Sequence, residues 1–115
     1  MKILLPLSVL AVMAAAPAFA DCVVPDNNVQ IPDGTTATKD EMISAKKAVE
    51  AFDAAVKTYT DCLQQEQQAK IDAGGDKVKL QKRYAELNNA QVEKVQQLAD
   101  KFNVELKAFK AKTAG

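Results

Sequence analysis

Two cysteines, Cys22 and Cys62, carry the most distinctive chemistry in a sequence of 115 residues that holds 15 basic side chains, 15 acidic ones and no histidine. Without imidazole the chain lacks the commonest general base, the commonest zinc ligand and the partner for a Ser/His or Cys/His nucleophile pair. The cysteines are not in C-x-x-C spacing and no neighbouring histidine lowers a thiol pKa, so redox catalysis has no support. A structural disulfide is favoured over an intermolecular bond or a reactive thiol. Within one chain the bond closes a loop of about 41 residues and contributes roughly 4 kcal/mol in the chain-entropy description.

The remaining polar residues offer little else. Ser44, the single serine after residue 20, has no base to activate it. Gly74-Gly75 is not followed by the Lys and Ser or Thr of a phosphate loop. Asp53 and Asp61 are spaced like a solvated helix face. The expectation is no enzyme: no catalytic residue, no metal site and no cofactor. One position stands out, Glu66, which falls where a helical seam requires an apolar residue. An ion pair with Arg83 across a hairpin, acting as a register device, is expected there.

The elements that position these groups follow from the N-terminus onward. Residues 1–20 read as a signal peptide, with Lys2 as the positive start, Ile3 to Ala16 as the apolar run and Ala18-Phe19-Ala20 as an A-x-A cleavage site. The run is shorter than the ~20 residues of a spanning helix. Asp21, standing before Cys22, breaks the pattern that lipidation needs, so the mature chain is expected to start at Asp21 as an exported protein.

Residues 21–38 contain Pro25, Pro32, Gly34 and three Asp but no Lys or Arg, and read as an extended arm. Pro32-Asp33-Gly34 is turn chemistry, with Pro32 expected at the second turn position. Thr38-Lys39-Asp40-Glu41 has the form of a capping box, so a helix is predicted from Lys39. Met42, Ala45, Val49, Phe52, Val56, Tyr59 and Leu63 then recur at alternating steps of three and four, a heptad seam. Ala48, Ala55, Cys62 and Ala69 form a row of small residues beside it. The arm, able to reach about 50 Å when extended, can run antiparallel to the roughly 35 Å of helix between Lys39 and Cys62. The disulfide then pins its start at mid-helix.

Gly74-Gly75 ends that helix at about residue 73, and Asp76 is a fitting N-cap for a second helix over about 77–110. Its stripe of Tyr84, Leu87, Gln91, Val95, Leu98, Phe102, Leu106 and Phe109 follows an eleven-residue repeat, which favours a nearly straight helix. Two helices of similar length joined by a short turn predict an all-α fold: an antiparallel, coiled-coil-like hairpin over 39–112. Residues 21–75 carry a net charge of −5 and residues 76–115 a net charge of +4. Opposite signs on the two arms favour closure, and Lys77, Lys79, Lys82 and Arg83 are read as facing an acidic helix, not nucleic acid.

The run Ile31-Pro32-Asp33-Gly34, with Ala37, Glu41-Met42, Ala45, Val49, Tyr59 and Cys62-Leu63, resembles a family of small secreted proteobacterial α-helical proteins of uncharacterised function. The resemblance covers about a third of the mature chain, in the arm and first helix. It implies an exported helical hairpin, periplasmic or secreted, in a Gram-negative bacterium. It carries over no activity, ligand or catalytic residue.

Two long amphipathic helices without a catalytic constellation point to a non-enzymatic protein that binds an envelope protein or self-assembles. A homodimer packed as a four-helix bundle is one expectation, and a stapled monomer the other. The alternative function is binding to a membrane surface or anionic polymer. Its candidate interaction face is Phe102, Leu106 and Phe109 beside Lys101, Lys107, Lys110 and Lys112.

Overall fold

The computed structural model describes residues 22–114. The expected signal peptide, its cleavage site and Asp21 lie outside the described residues. Two helices, α1 (Lys39–Asp72) and α2 (Lys77–Ala114), pack against each other as a hairpin. At about 1.5 Å per residue they run roughly 51 and 57 Å.

Local chemistry sets three of the four helix ends. Thr38 accepts from the Glu41 N–H at 3.2 Å while the Glu41 carboxylate accepts from the Thr38 N–H at 3.1 Å, completing the capping box. At the C-terminus of α1 the Gly75 N–H reaches back to the Lys70 carbonyl and the Gly74 N–H to that of Ile71, both at 3.0 Å. This is a Schellman closure around Gly74, whose φ of 93° suits a residue without Cβ. Asp76 caps α2 by accepting from the Lys79 N–H at 3.1 Å. α2 runs four residues past its expected end at 110. There the Lys112 ammonium donates to the Ala37 carbonyl at 2.8 Å and stands 5.1 Å from the centre of the Phe109 ring, so the last turn is held by the arm.

Most of the α1 seam is buried, with Val49 half-buried, whereas Leu87, Val95, Phe102, Leu106 and Phe109 of the α2 stripe are half-buried. Met42, Ala45, Phe52, Val56, Tyr59 and Leu63 are buried on α1, and Tyr84, Gln91 and Leu98 on α2. Phe52, Val56 and Leu98 form one cluster, and Tyr59, Leu63 and Tyr84 a second one nearer the turn. The arm completes both. Val29 and Ile31 pack on the first cluster and Cys22 on the second, so the arm runs back along α1 from mid-helix to Thr38. Cys22 and Cys62 form the disulfide that anchors its start, with their Cα atoms 5.7 Å apart.

Two details depart from the expectations. The turn in the arm begins at Asp33, not at Ile31 with Pro32 in second position: Thr36 and Ala37 donate to the Asp33 carbonyl at 3.1 and 2.9 Å. The Asp33 carboxylate accepts the Thr35 N–H and hydroxyl at 2.9 and 2.7 Å, which suits Asp to the first turn position. The arm also lies across both helices and not on α1 alone, because Gly34 donates its N–H to Glu105 on α2 at 2.7 Å.

An uncovered groove between the helices

With the arm filling one side of the hairpin, the opposite side is a groove that no described residue covers. Near the free ends of the helices it opens into a recess of about 440 Å³ lined by Lys39, Met42, Ile43 and Lys46 of α1 and Phe102, Asn103, Leu106 and Phe109 of α2. Near the turn a second recess of about 280 Å³ is lined by Thr60, Leu63, Gln64 and Gln67 with Gln81, Tyr84, Ala85 and Asn88. On α1 the second set repeats the first three heptads further along. On α2, Gln81, Ala85 and Asn88 likewise stand three heptads before Phe102, Leu106 and Phe109. The two recesses thus use the same heptad positions of the helix pair at opposite ends of the hairpin.

The ends differ in chemistry. The open end is apolar, with Met42 buried, Phe102, Leu106 and Phe109 half-buried and Ile43 41% exposed, and its charged lining is cationic: Lys39 and Lys46. The turn end is lined by amides and one hydroxyl around Leu63 and Tyr84. Between them the heptad position of Lys46 and Thr60 is occupied by Asp53, which pairs with Lys57 at 3.0 Å.

Of the sequence-derived interaction face, Phe102, Leu106 and Phe109 line this groove with α1, and Lys101, Lys107 and Lys110 lie exposed outside its lining. The lysines that border the apolar recess come from the other helix, at Lys39 and Lys46. Their place was not evident from α2 alone. The heptad offset from Lys39 to Lys46 was the available signal.

Glu66 does not pair with Arg83. Its carboxylate lies 3.6 Å from Lys70 one turn along α1, and 3.9 Å from the Cys22 sulfur, which as a disulfide sulfur has no proton to donate and makes only a van der Waals contact. Among the described residues the ion pairs Lys46–Glu50, Lys57–Asp53 and Lys70–Glu66 all lie within α1, so the opposite charges of the helices are not joined by direct pairs. The apolar seam keeps the charged side chains on outer faces. The polar residue that does enter the core is Gln91, 6% exposed, whose side-chain oxygen has no hydrogen-bond partner among the described residues.

Ser44 borders a shallow recess of about 530 Å³ between arm and α1, beside Asp40 and Glu41. Glu41 is committed to the helix cap. Among the described residues no three His, Cys, Asp or Glu side chains are grouped to hold a metal ion, and no helix is long and apolar enough to cross a membrane. Compared with protein-family models, curated proteins and solved structures, the chain matches none.

Proposed function

We propose that this is an exported, non-enzymatic binding protein of the cell envelope that engages another protein through the groove opposite its arm. The observation that carries this reading is the division of labour between the hairpin's two sides. The arm and disulfide close one side, while the other leaves Ile43, Phe102, Leu106 and Phe109 at an apolar recess. A stapled hairpin exposes a helix–helix groove at little cost in stability, since the arm supplies the core contacts that a partner would otherwise have to provide. Export is supported by the Lys2, apolar-run and A-x-A pattern and by a disulfide, which persists in oxidising compartments.

Site-specific photocrosslinking in cells that export the protein tests the reading. A photoreactive residue at Ile43 should give a discrete protein adduct. The same residue at Val104, 65% exposed and outside the groove, should give none. Equal patterns from both positions, or no adduct at Ile43, would remove the groove as a protein-binding surface. Mass spectrometry of the exported protein should find Asp21 as its first residue.

A further inference from the structure

We infer that the groove takes an amphipathic α-helix of another polypeptide, docked by an apolar stripe and carrying carboxylates at the end that meets Lys39 and Lys46. The inference rests on the protein-binding reading and names the partner's chemistry.

The shape selects a helix. The α1 lining positions at the open end recur three heptads further on at the turn end, so the two recesses bracket about 42 Å of α1 from Lys39 to Gln67, and an occupant that reaches both repeats its own side chains at the same period. A small molecule or a single acyl chain would use only the two-turn recess at the open end and leave the continuation unread. A third helix laid along the groove completes a bundle, placing apolar side chains against Ile43, Phe102 and Leu106 and polar ones against the amide-lined end.

The charge selects its sign. Both charged side chains lining the apolar recess are cationic, and they stand one heptad apart on the same helix face. Carboxylates flanking a partner's stripe would meet them as e and g residues meet in a coiled coil, setting orientation and pairing more than raw affinity. The 3.9 Å contact between Lys46 and Glu50 is an exposed pair and does little to satisfy the ammonium.

A second copy of this chain does not fit the same surface. Laid parallel, it sets lysine against lysine. Laid antiparallel over both recesses, it sets the lysines against Thr60 and Gln67, neither of which is a carboxylate, and a shift of one heptad offers Lys46 only Asp53, already paired with Lys57 at 3.0 Å.

The test uses the full disulfide-bonded chain and three synthetic helical peptides of about four heptads. Each has the same Leu/Ile stripe, with Glu, Gln or Lys at the flanking positions of the first two heptads. Fluorescence anisotropy at low salt should show the Glu peptide binding about tenfold more tightly than the Lys peptide, the scale two exposed ion pairs reach. The difference should shrink as salt rises, and K39E/K46E should reverse the order. Both substitutions are at exposed positions, and Glu at the first turn suits the helix dipole, so circular dichroism should find the double variant folded. Equal binding of all three peptides, or an order unchanged in K39E/K46E, overturns the inference while leaving the groove a protein-binding surface. Failure of all three peptides overturns it too, and persistence of the Ile43 crosslink would then confine the error to the partner's chemistry. A concentration-dependent dimer in sedimentation, abolished by Ile43→Glu, would overturn it in favour of self-association.

Discussion

Gly34 and Glu105 bring the tip of the arm onto the backbone of α2. The Gly34 N–H donates to the Glu105 carboxylate at 2.7 Å, and a Cβ at position 34 would collide with the Glu105 carbonyl and lie 2.9 Å from the Phe109 nitrogen. The glycine is required for this close approach and not for a left-handed φ. Gly34→Ala is therefore expected to lift the tip and cost about 1–3 kcal/mol, the range of overpacked sites. Urea denaturation of the oxidised protein measures the cost. An unchanged midpoint would mean that the tip does not dock on α2.

Acid should loosen the same tip. The Asp33 carboxylate is held below its ordinary value of 3.8, first by the Thr35 hydroxyl and then by the Thr35 N–H, against desolvation, with Lys112 adding a lesser attraction. A carboxylate with a depressed folded-state pKa contributes stability above its unfolded value and loses it as pH falls through the folded one. The window lies below about pH 4. The Thr35 amide resonance should titrate with a midpoint under 3.8, and Asp33→Asn, which keeps the acceptor oxygen, should abolish that titration. A wild-type midpoint at or above the ordinary value would contradict the hydrogen-bonded turn.

The disulfide holds the opposite end of the arm. Cys22 and Cys62 are 40 positions apart, and Cys22 packs on the cluster of Tyr59, Leu63 and Tyr84. Replacing both cysteines with serine is expected to cost about 2–4 kcal/mol. The loss should be uneven. Residues 22–25 have no anchor besides Cys22 in the two core clusters, whereas Val29 and Ile31 remain packed on Phe52 and Val56 and Lys112 still binds Ala37. Backbone 15N order parameters should therefore fall at Val23 and Val24 more than at Ala37, whose N–H stays bonded to the Asp33 carbonyl. A uniform fall along the arm would show that the disulfide, and not packing, holds its tip.

How much of this was legible in the sequence depends on the range of each signal. Three of the four helix ends were, because Thr38–Glu41, Gly74-Gly75 and Asp76 act within a few residues of themselves, and the end of α2 was not. The seam was, because burial imposes a period. The arm's grip on α2 was not, since Gly34–Glu105 and Ala37–Lys112 are separated by 71 and 75 positions and leave no periodic trace. The polar outlier was misplaced for a related reason. Glu66 broke the heptad of α1, yet it turns toward Cys22 and Lys70, while Gln91 kept its place in the eleven-residue stripe of α2 and was carried into the core with it.

Gln91 accordingly offers a route to a more stable protein. Its buried side-chain oxygen has no partner, a state that costs about 1–3 kcal/mol, whereas an apolar side chain of similar size incurs no such penalty. Gln91→Leu should raise stability by about 1 kcal/mol, shifting Tm upward by roughly 4–8 °C for a chain of this size. A drop in Tm would show that the amide has a partner, such as an ordered water, that leucine cannot replace.

The turn between the helices allows a backbone effect to be measured free of packing. At Gly74, φ is 93° and nothing lies within 4 Å of the position a Cβ would take, so any cost of alanine there comes from the backbone conformation. The left-handed region disfavours a residue with a Cβ by about 1–2 kcal/mol. Gly74→Ala should destabilise by that amount, and Gly74→Asn by less, because asparagine tolerates this conformation better. D-Alanine placed at the same position by chemical ligation inverts the preference. It fits a positive φ and narrows the unfolded ensemble, so stability should rise by about 0.4–1 kcal/mol. Thermal unfolding of the three variants gives the ordering D-Ala above Gly above Asn above Ala. If alanine and D-alanine were to melt together, the Schellman closure with Lys70 and Ile71 would not be what ends the first helix.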